Sequence, residues 1–289
     1  MNIILAKEIK TYLRSGYGTI FMTIYLFIFG LYFIFMNIYP TPNSVISATI
    51  NNMIFIFILL FPMITMKSFA EEKNNKTDQL LFTSPISLPN IILGKYIAAF
   101  ILLLATLSVT FLHVLIINFF TENLGLNTIL TSYLGFLLIC SAFIAIGIFI
   151  SAISQNQIIA GISSLGISII LFITSSISDV IPRDSLSGLI FAIVCIVGAC
   201  LGLYWLLKNI WISLISSILL ISVAIWTYVK NITFFEGIIQ KTIKVLSITK
   251  YSNDYFIGII SLSSIVYYLS IVFLFLFFTY VLLDKKRWS

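Results

Sequence analysis

Among the chain's 16 Lys and Arg and 10 Asp and Glu, seven fall in one 29-residue stretch, KSFAEEKNNKTDQLLFTSPISLPNIILGK: Lys67, Glu71, Glu72, Lys73, Lys76, Asp78 and Lys95. The chemistry these residue types offer is ion pairing rather than catalysis. Glu71 and Glu72 can meet basic groups on a partner, and Phe69, Leu80 and Leu81 supply apolar anchors beside them. Residues 68–82 contain neither Gly nor Pro, which predicts a stiff helical element; Pro85 and Pro89 then end it and turn the chain back. A rigid element held near a rigid span can carry displacement across an interface. Read from the residues alone, a docking surface and a solvated connector between two spans both remain open.

Other groups of chemically capable types have plainer readings. Gly161-Ile-Ser-Ser-Leu-Gly166 has the glycine spacing of a phosphate-binding loop, but Ile167 stands where the lysine is required, so no nucleotide site is expected. His113 is the only histidine and reads as a polar side chain bonded to a neighbouring helix. Cys140, Cys195 and Cys200 lie in apolar runs and suggest neither disulfides nor a metal site. No acidic or basic residue sits in the middle of an apolar run, whereas ion-coupled transporters usually carry one there. The chain lacks an energy input of its own, and no cofactor or metal is expected on it.

The elements that must position these residues follow from composition. Of 289 residues, 60% are hydrophobic and 9% charged, and the mean hydropathy is +1.13; a soluble domain carries about 25% charged residues. Runs of about 20 apolar residues cross a bilayer, and the sequence has some eight of them. They are 19–38, 46–66, 91–120, 129–153, 158–177, 186–207, 210–229 and 260–283. The fold class is therefore all-α, a polytopic membrane protein with about eight transmembrane helices.

Charge sets the topology. With the N-terminus cytoplasmic, Lys7, Lys10, Arg14, Lys67, Lys73, Lys76, Lys95, Lys208, Lys285, Lys286 and Arg287 fall inside, against Arg183, Lys230, Lys241, Lys244 and Lys250 outside. That is the positive-inside bias, so the pI near 9.1 reports orientation rather than nucleic-acid binding. Both termini are expected in the cytoplasm. The first apolar run lacks a small-residue cleavage site and reads as a retained anchor.

Two amphipathic patterns flank the spans. Leu5, Ile9, Tyr12 and Leu13 oppose Lys7, Glu8, Lys10 and Arg14, predicting an interfacial helix within residues 1–16. Phe235, Ile238, Ile239, Val245 and Leu246 oppose Glu236, Gln240, Lys244 and Ser247, predicting an external amphipathic segment within 230–259. In the fifth run Gly161, Ser164, Ser168 and Ser175 share a face of small residues. Such a face lets helix backbones approach closely, at a dimer interface, along a transport path, or in plain packing within one subunit.

Phe69-Ala-Glu-Glu-Lys73, Thr77-Asp-Gln-Leu-Leu81, Thr83-Ser-Pro85 and Leu93-Gly-Lys95, taken in succession, resemble the cytoplasmic segment of ABC-2 type transporter permeases. Tyr255-Phe-Ile-Gly258, Val266-Tyr-Tyr-Leu-Ser270 and Leu283-Asp-Lys-Lys-Arg-Trp288 are similar to the same family, nearest its gliding-motility-associated branch. The resemblance implies one permease domain over 1–289, in the bacterial plasma membrane, paired with a second permease subunit as a homodimer or heterodimer. Two separate cytosolic ATPase subunits would drive it, carrying ATP and Mg, so that the chain itself is no enzyme. It further implies that the coupling segment 67–90 meets the ATPase through Phe69, Glu71, Glu72, Thr77, Leu80, Leu81 and Pro85, and that the fifth span lies near the dimer interface and path. Export is the expected direction, with membrane lipids as the surroundings and no nucleic acid. A multi-pass enzyme acting on lipid, and a non-transporting sensor or immunity scaffold of the same fold, are the other functions considered.

Overall fold

The computed structural model describes residues 2–39, 46–79, 86–119, 125–181, 183–207 and 210–288, and no strand occurs among them. In chain order the helices are α1 (Asn2–Arg14), α2 (Tyr17–Phe33), α3 (Ile46–Leu60), α4 (Pro62–Thr65), α5 (Ala70–Asn74), α6 (Leu88–Asn118) and α7 (Leu126–Ile153). They continue with α8 (Gln157–Val180), α9 (Ser185–Leu207), α10 (Ile210–Lys230), α11 (Ile238–Leu246), α12 (Asn253–Phe256) and α13 (Leu262–Trp288). A wide turn, Ile34–Ile38, extends α2, and a tight one, Ile232–Phe235, follows α10.

Each of the eight apolar runs is helical over most of its described length. Among the described residues six helices are long and apolar enough to cross a membrane: Tyr17–Ile38, Ile46–Asn74, Leu88–Asn118, Leu126–Ile153, Gln157–Ser178 and Leu262–Arg287. A seventh arises if Ile215–Lys230 and Ile232–Val245, bent by 119°, form one broken span. This agrees with the expected all-α polytopic membrane fold. α9 and α10, helices of 23 and 21 residues, are the other two apolar runs.

Two compact units can be distinguished, residues 1–170 with 251–289, and residues 171–250. In the first, α7 is the centre: residues 139–148 are buried on nearly every side, as expected of a helix apolar all round. Phe21, Tyr25, Phe57, Phe61, Phe136 and Phe143, from α2, α3, the junction of α3 with α4, and α7, make a chain of ring contacts with centroids 5.7 to 6.2 Å apart, the spacing of favourable aromatic pairs. Gly147 lets α4 close in. A Cβ there would stand 2.4 Å from Thr65 Oγ1 and 2.8 Å from Phe61 Cε2. His113 lies edge-on to Phe29 and Phe33 at 5.1 and 4.8 Å, its Nδ1 3.2 Å from the Thr110 carbonyl of its own helix. The reading of a packed polar side chain holds, with the partner on α6 itself.

In the second unit Gly188 of α9 takes the backbone of Phe235, whose carbonyl oxygen would lie 2.0 Å from any Cβ. Phe235 is buried there, edge-on to Tyr228 of α10. The amphipathic helix forms as α11, but its polar face is not wholly wet. Gln240 is buried and donates to the Ile181 carbonyl at 2.7 Å. An amide whose hydrogen bond is met inside the protein can be buried at little cost.

Candidate functional site

The charged segment folds against the N-terminal helix. Gly16, in the left-handed region at φ 77, turns the chain between α1 and α2. That turn lays α1 across the start of α6, where Ile4 abuts Gly94 so closely that a Cβ would lie 3.0 Å from it. The buried face of α1 is Ile4, Glu8 and Tyr12, while Leu13 is exposed. The expected face of Leu5, Ile9, Tyr12 and Leu13 is thus rotated, and Glu8, expected on the wet side, points inward. Its reason is Lys95.

Lys95 is 2% exposed and its Nζ donates to Glu8 Oε1 at 2.9 Å, to Glu72 Oε1 at 3.0 Å and to the Ser68 carbonyl at 2.5 Å. It also lies 5.0 Å from the Phe69 ring centre. Three donors and three acceptors satisfy the ammonium, the condition under which a buried charge is tolerated. Lys7 reaches the same Glu72 oxygen at 3.7 Å. Lys67 pairs with Glu71 at 3.2 Å and sits 3.8 Å above the Tyr17 ring. Tyr12 donates to the Ile64 carbonyl at 3.1 Å. Burial pushes its phenol well above the ordinary value, and the nearby Glu8 adds to the rise.

α5 is held from its other side by α7. The hydroxyl of Ser151 accepts from the Phe69 and Ala70 amides at 3.0 and 3.1 Å and donates to the Met66 carbonyl at 3.1 Å. It thereby satisfies orphan groups at the start of α5 and the end of α4, which helix termini otherwise leave unpaired. Lys73 donates to the carbonyls of Ala152 and Ser154 at the end of α7, and Lys286 of α13 lies 3.5 Å from Ala152 O. Cations at a helix C-terminus complement its exposed carbonyls. A single knot thus joins the start of the chain, α5, the start of α6 and the ends of α7 and α13.

Of the residues expected to meet a partner, Phe69 is buried with its ring beside Lys95, and Glu72 is committed to Lys95 and Lys7. Glu71 remains partly exposed and Thr77 is exposed. Leu80, Leu81 and Pro85 lie outside the described residues, as does Lys208. Of the small-residue face, Ser164 and Ser168 have no exposed surface within this one chain, and their hydroxyls bond to carbonyls of α8 itself. Gly161 faces Met66, and Ser175 accepts from Thr249 at 3.1 Å. Sequence reasoning missed Glu8, Ser151 and the central place of Lys95. Only the helical register of Glu8 one turn before Tyr12 hinted at them. No cluster of three His, Cys, Asp or Glu able to hold a metal occurs among the described residues.

Comparison with known proteins fits this architecture. Residues 36–229 match the family model described as ABC-2 family transporter protein, well over half of the chain. The protein belongs to that family: it is a multi-pass membrane protein, the permease of an ABC transporter, and not itself the catalytic subunit. The match carries the family and not its gliding-motility branch. A search of curated proteins returns no match.

Proposed function

We propose that this permease is an exporter subunit driven by separate cytosolic ATPase subunits that dock on the exposed tip of α5, around Glu71, Asn75 and Thr77. The observation that carries the reading is the double anchoring of α5. Ser151 and Lys73 tie it to α7, and Glu72, through Lys95, ties it to α1 and α6. A push on its tip has no soft hinge to be lost in, and reaches the most buried helix of the first unit directly. In this reading ATP and Mg belong to the partner and two permease subunits make the path. Both termini and residue 75 face the cytoplasm of a bacterial cell.

Two measurements test it. Asn75→Trp places a bulky ring on the exposed tip, and should abolish copurification of the ATPase while insertion and melting temperature stay unchanged; undiminished copurification would leave α5 a connector. A cysteine at position 75, in a background lacking Cys140, Cys195 and Cys200, should be labelled only from the cytoplasmic side. Labelling from outside would overturn the orientation.

A further inference from the structure

Between α1, α4 and α5 lies a cavity of about 240 Å³. Its lining includes Lys7, Tyr12, Lys67, Ser68, Glu72 and Thr77. Two of the lining residues each carry a buried oxygen with no hydrogen-bond partner among the described residues: Ser68 Oγ and Glu72 Oε2. Ser68 is 3% exposed. Buried polar atoms left unpaired are few in folded proteins, and each calls for an explanation.

The lining's charges indicate what the cavity lacks. Each of its lysines already faces an anion: Lys95 faces Glu8 and Glu72, Lys67 faces Glu71 and the Tyr17 ring, and Lys7 faces Glu72. The unspent capacity is on the acceptor side. An ionised carboxylate offers about four lone-pair sites, and Glu72 spends those of one oxygen only. The group that fits presents several N–H donors and a positive charge. The planar guanidinium does this best, since its fork can reach two oxygens at once. The mouth is rimmed by exposed Lys7, Thr11, Asn75 and Thr77, hydrophilic side chains of α1 and of the tip of α5, so the opening faces water rather than acyl chains.

We infer that this cavity receives one arginine side chain of the partner ATPase, its guanidinium bonded to Glu72 Oε2 and Ser68 Oγ. The inference rests on the proposed docking at α5 and gives that docking its central anchor. Arginine held in a desolvated pocket is a common hot spot of protein interfaces. Charge-assisted bonds set here would reach Lys95 through the shared Glu72 carboxylate, and so α1 and α6.

The test uses the full-length permease in nanodiscs and the purified ATPase subunit that copurifies with it. Ser68→Ala removes an oxygen that has no internal partner. It should leave the permease's own melting temperature unmoved and weaken ATPase binding roughly tenfold or more, the usual weight of a charge-assisted hydrogen bond. Ser68→Lys, which supplies an internal cation, should block the ATPase and raise that melting temperature. Unchanged affinity in Ser68→Ala, with Asn75→Trp still disruptive, means the cavity holds water only; the inference is then overturned and the docking reading survives. If neither variant alters binding, the docking reading falls and the inference with it. A melting temperature that drops on Ser68→Ala only in phosphatidylethanolamine, and not in phosphatidylcholine, assigns the cavity to a lipid amine and overturns the inference.

Discussion

Lys95 and Glu8 stand 87 positions apart in the chain and 2.9 Å apart in space, and α1 is seated by that pair. Removing the cation would leave the carboxylates of Glu8 and Glu72 facing each other in a buried site. Lys95→Met is expected to cost about 3–5 kcal/mol, the penalty for breaking a buried pair from one side. Replacing Glu8, Glu72 and Lys95 together by Leu should cost much less, because no charge is stranded. Unfolding in mixed micelles compares the two. Equal losses would show that packing rather than charge holds α1.

Tyr12 makes the seat of α1 sensitive to alkali. Its folded-state phenol is raised above the ordinary 10.0, first by burial and then by Glu8. The unfolded chain therefore ionises it first. Its contribution is fully present below pH 10 and is lost as pH rises through the folded value. Wild type should expose Lys10 and Arg14 to trypsin progressively above pH 10, and Tyr12→Phe should flatten that dependence. The variant also forfeits the bond to the Ile64 carbonyl, worth about 1 kcal/mol, so it should start slightly less stable at neutral pH.

Lys76 is the one non-glycine residue with positive φ among those described, at 55°. It follows the end of α5, where the Thr77 amide bonds the Glu72 carbonyl at 2.8 Å and the Lys76 amide the Lys73 carbonyl at 3.0 Å. That bond pattern closes many helices, with glycine favoured at this position. Lys76→Gly should relieve about 1 kcal/mol of left-handed strain, and Lys76→Val should add to it. Hydrogen exchange at the Thr77 amide reads both changes locally.

Close packing of α7 distinguishes two glycines that look alike in sequence. Gly147→Ala drives a methyl into Thr65 and Phe61 and should cost about 1–3 kcal/mol through overpacking. At Gly161 the added carbon would meet only Met66, its Sδ at 3.4 Å and its Cβ at 3.8 Å, ordinary contacts. Gly161→Ala should stay within roughly 0.5 kcal/mol of wild type. Thermal unfolding of both variants checks the order; a larger loss at Gly161 would make it the closer helix crossing.

Apolar runs made the helices legible, since a span leaves about 20 residues of hydropathy behind, whereas Pro89, expected to turn the chain, sits in the first turn of α6. The knot left no such trace. Glu8 sits on the charged side of its amphipathic pattern, and its partner is on another helix, so helical periodicity assigned it to water. Ser151 is one hydroxyl in an apolar run, where its role depends on three backbone groups of residues 66–70. Gln240 was likewise placed on a wet face because the carbonyl it needs belongs to Ile181. Periodicity registers which residues are polar, whereas a buried polar residue is defined by a partner that periodicity does not contain.

The span of 87 residues between Glu8 and Lys95 also sets an order of events during synthesis. While the ribosome has made only α1 to α5, Glu8 has no Lys95 to meet and Glu72 has only the longer contact with Lys7, at 3.7 Å. α1 seats itself once the start of α6 has been delivered, so the first helix to emerge is among the last to settle. Nascent chains arrested before residue 88 should leave Lys10 open to trypsin, and chains carried past residue 118 should protect it.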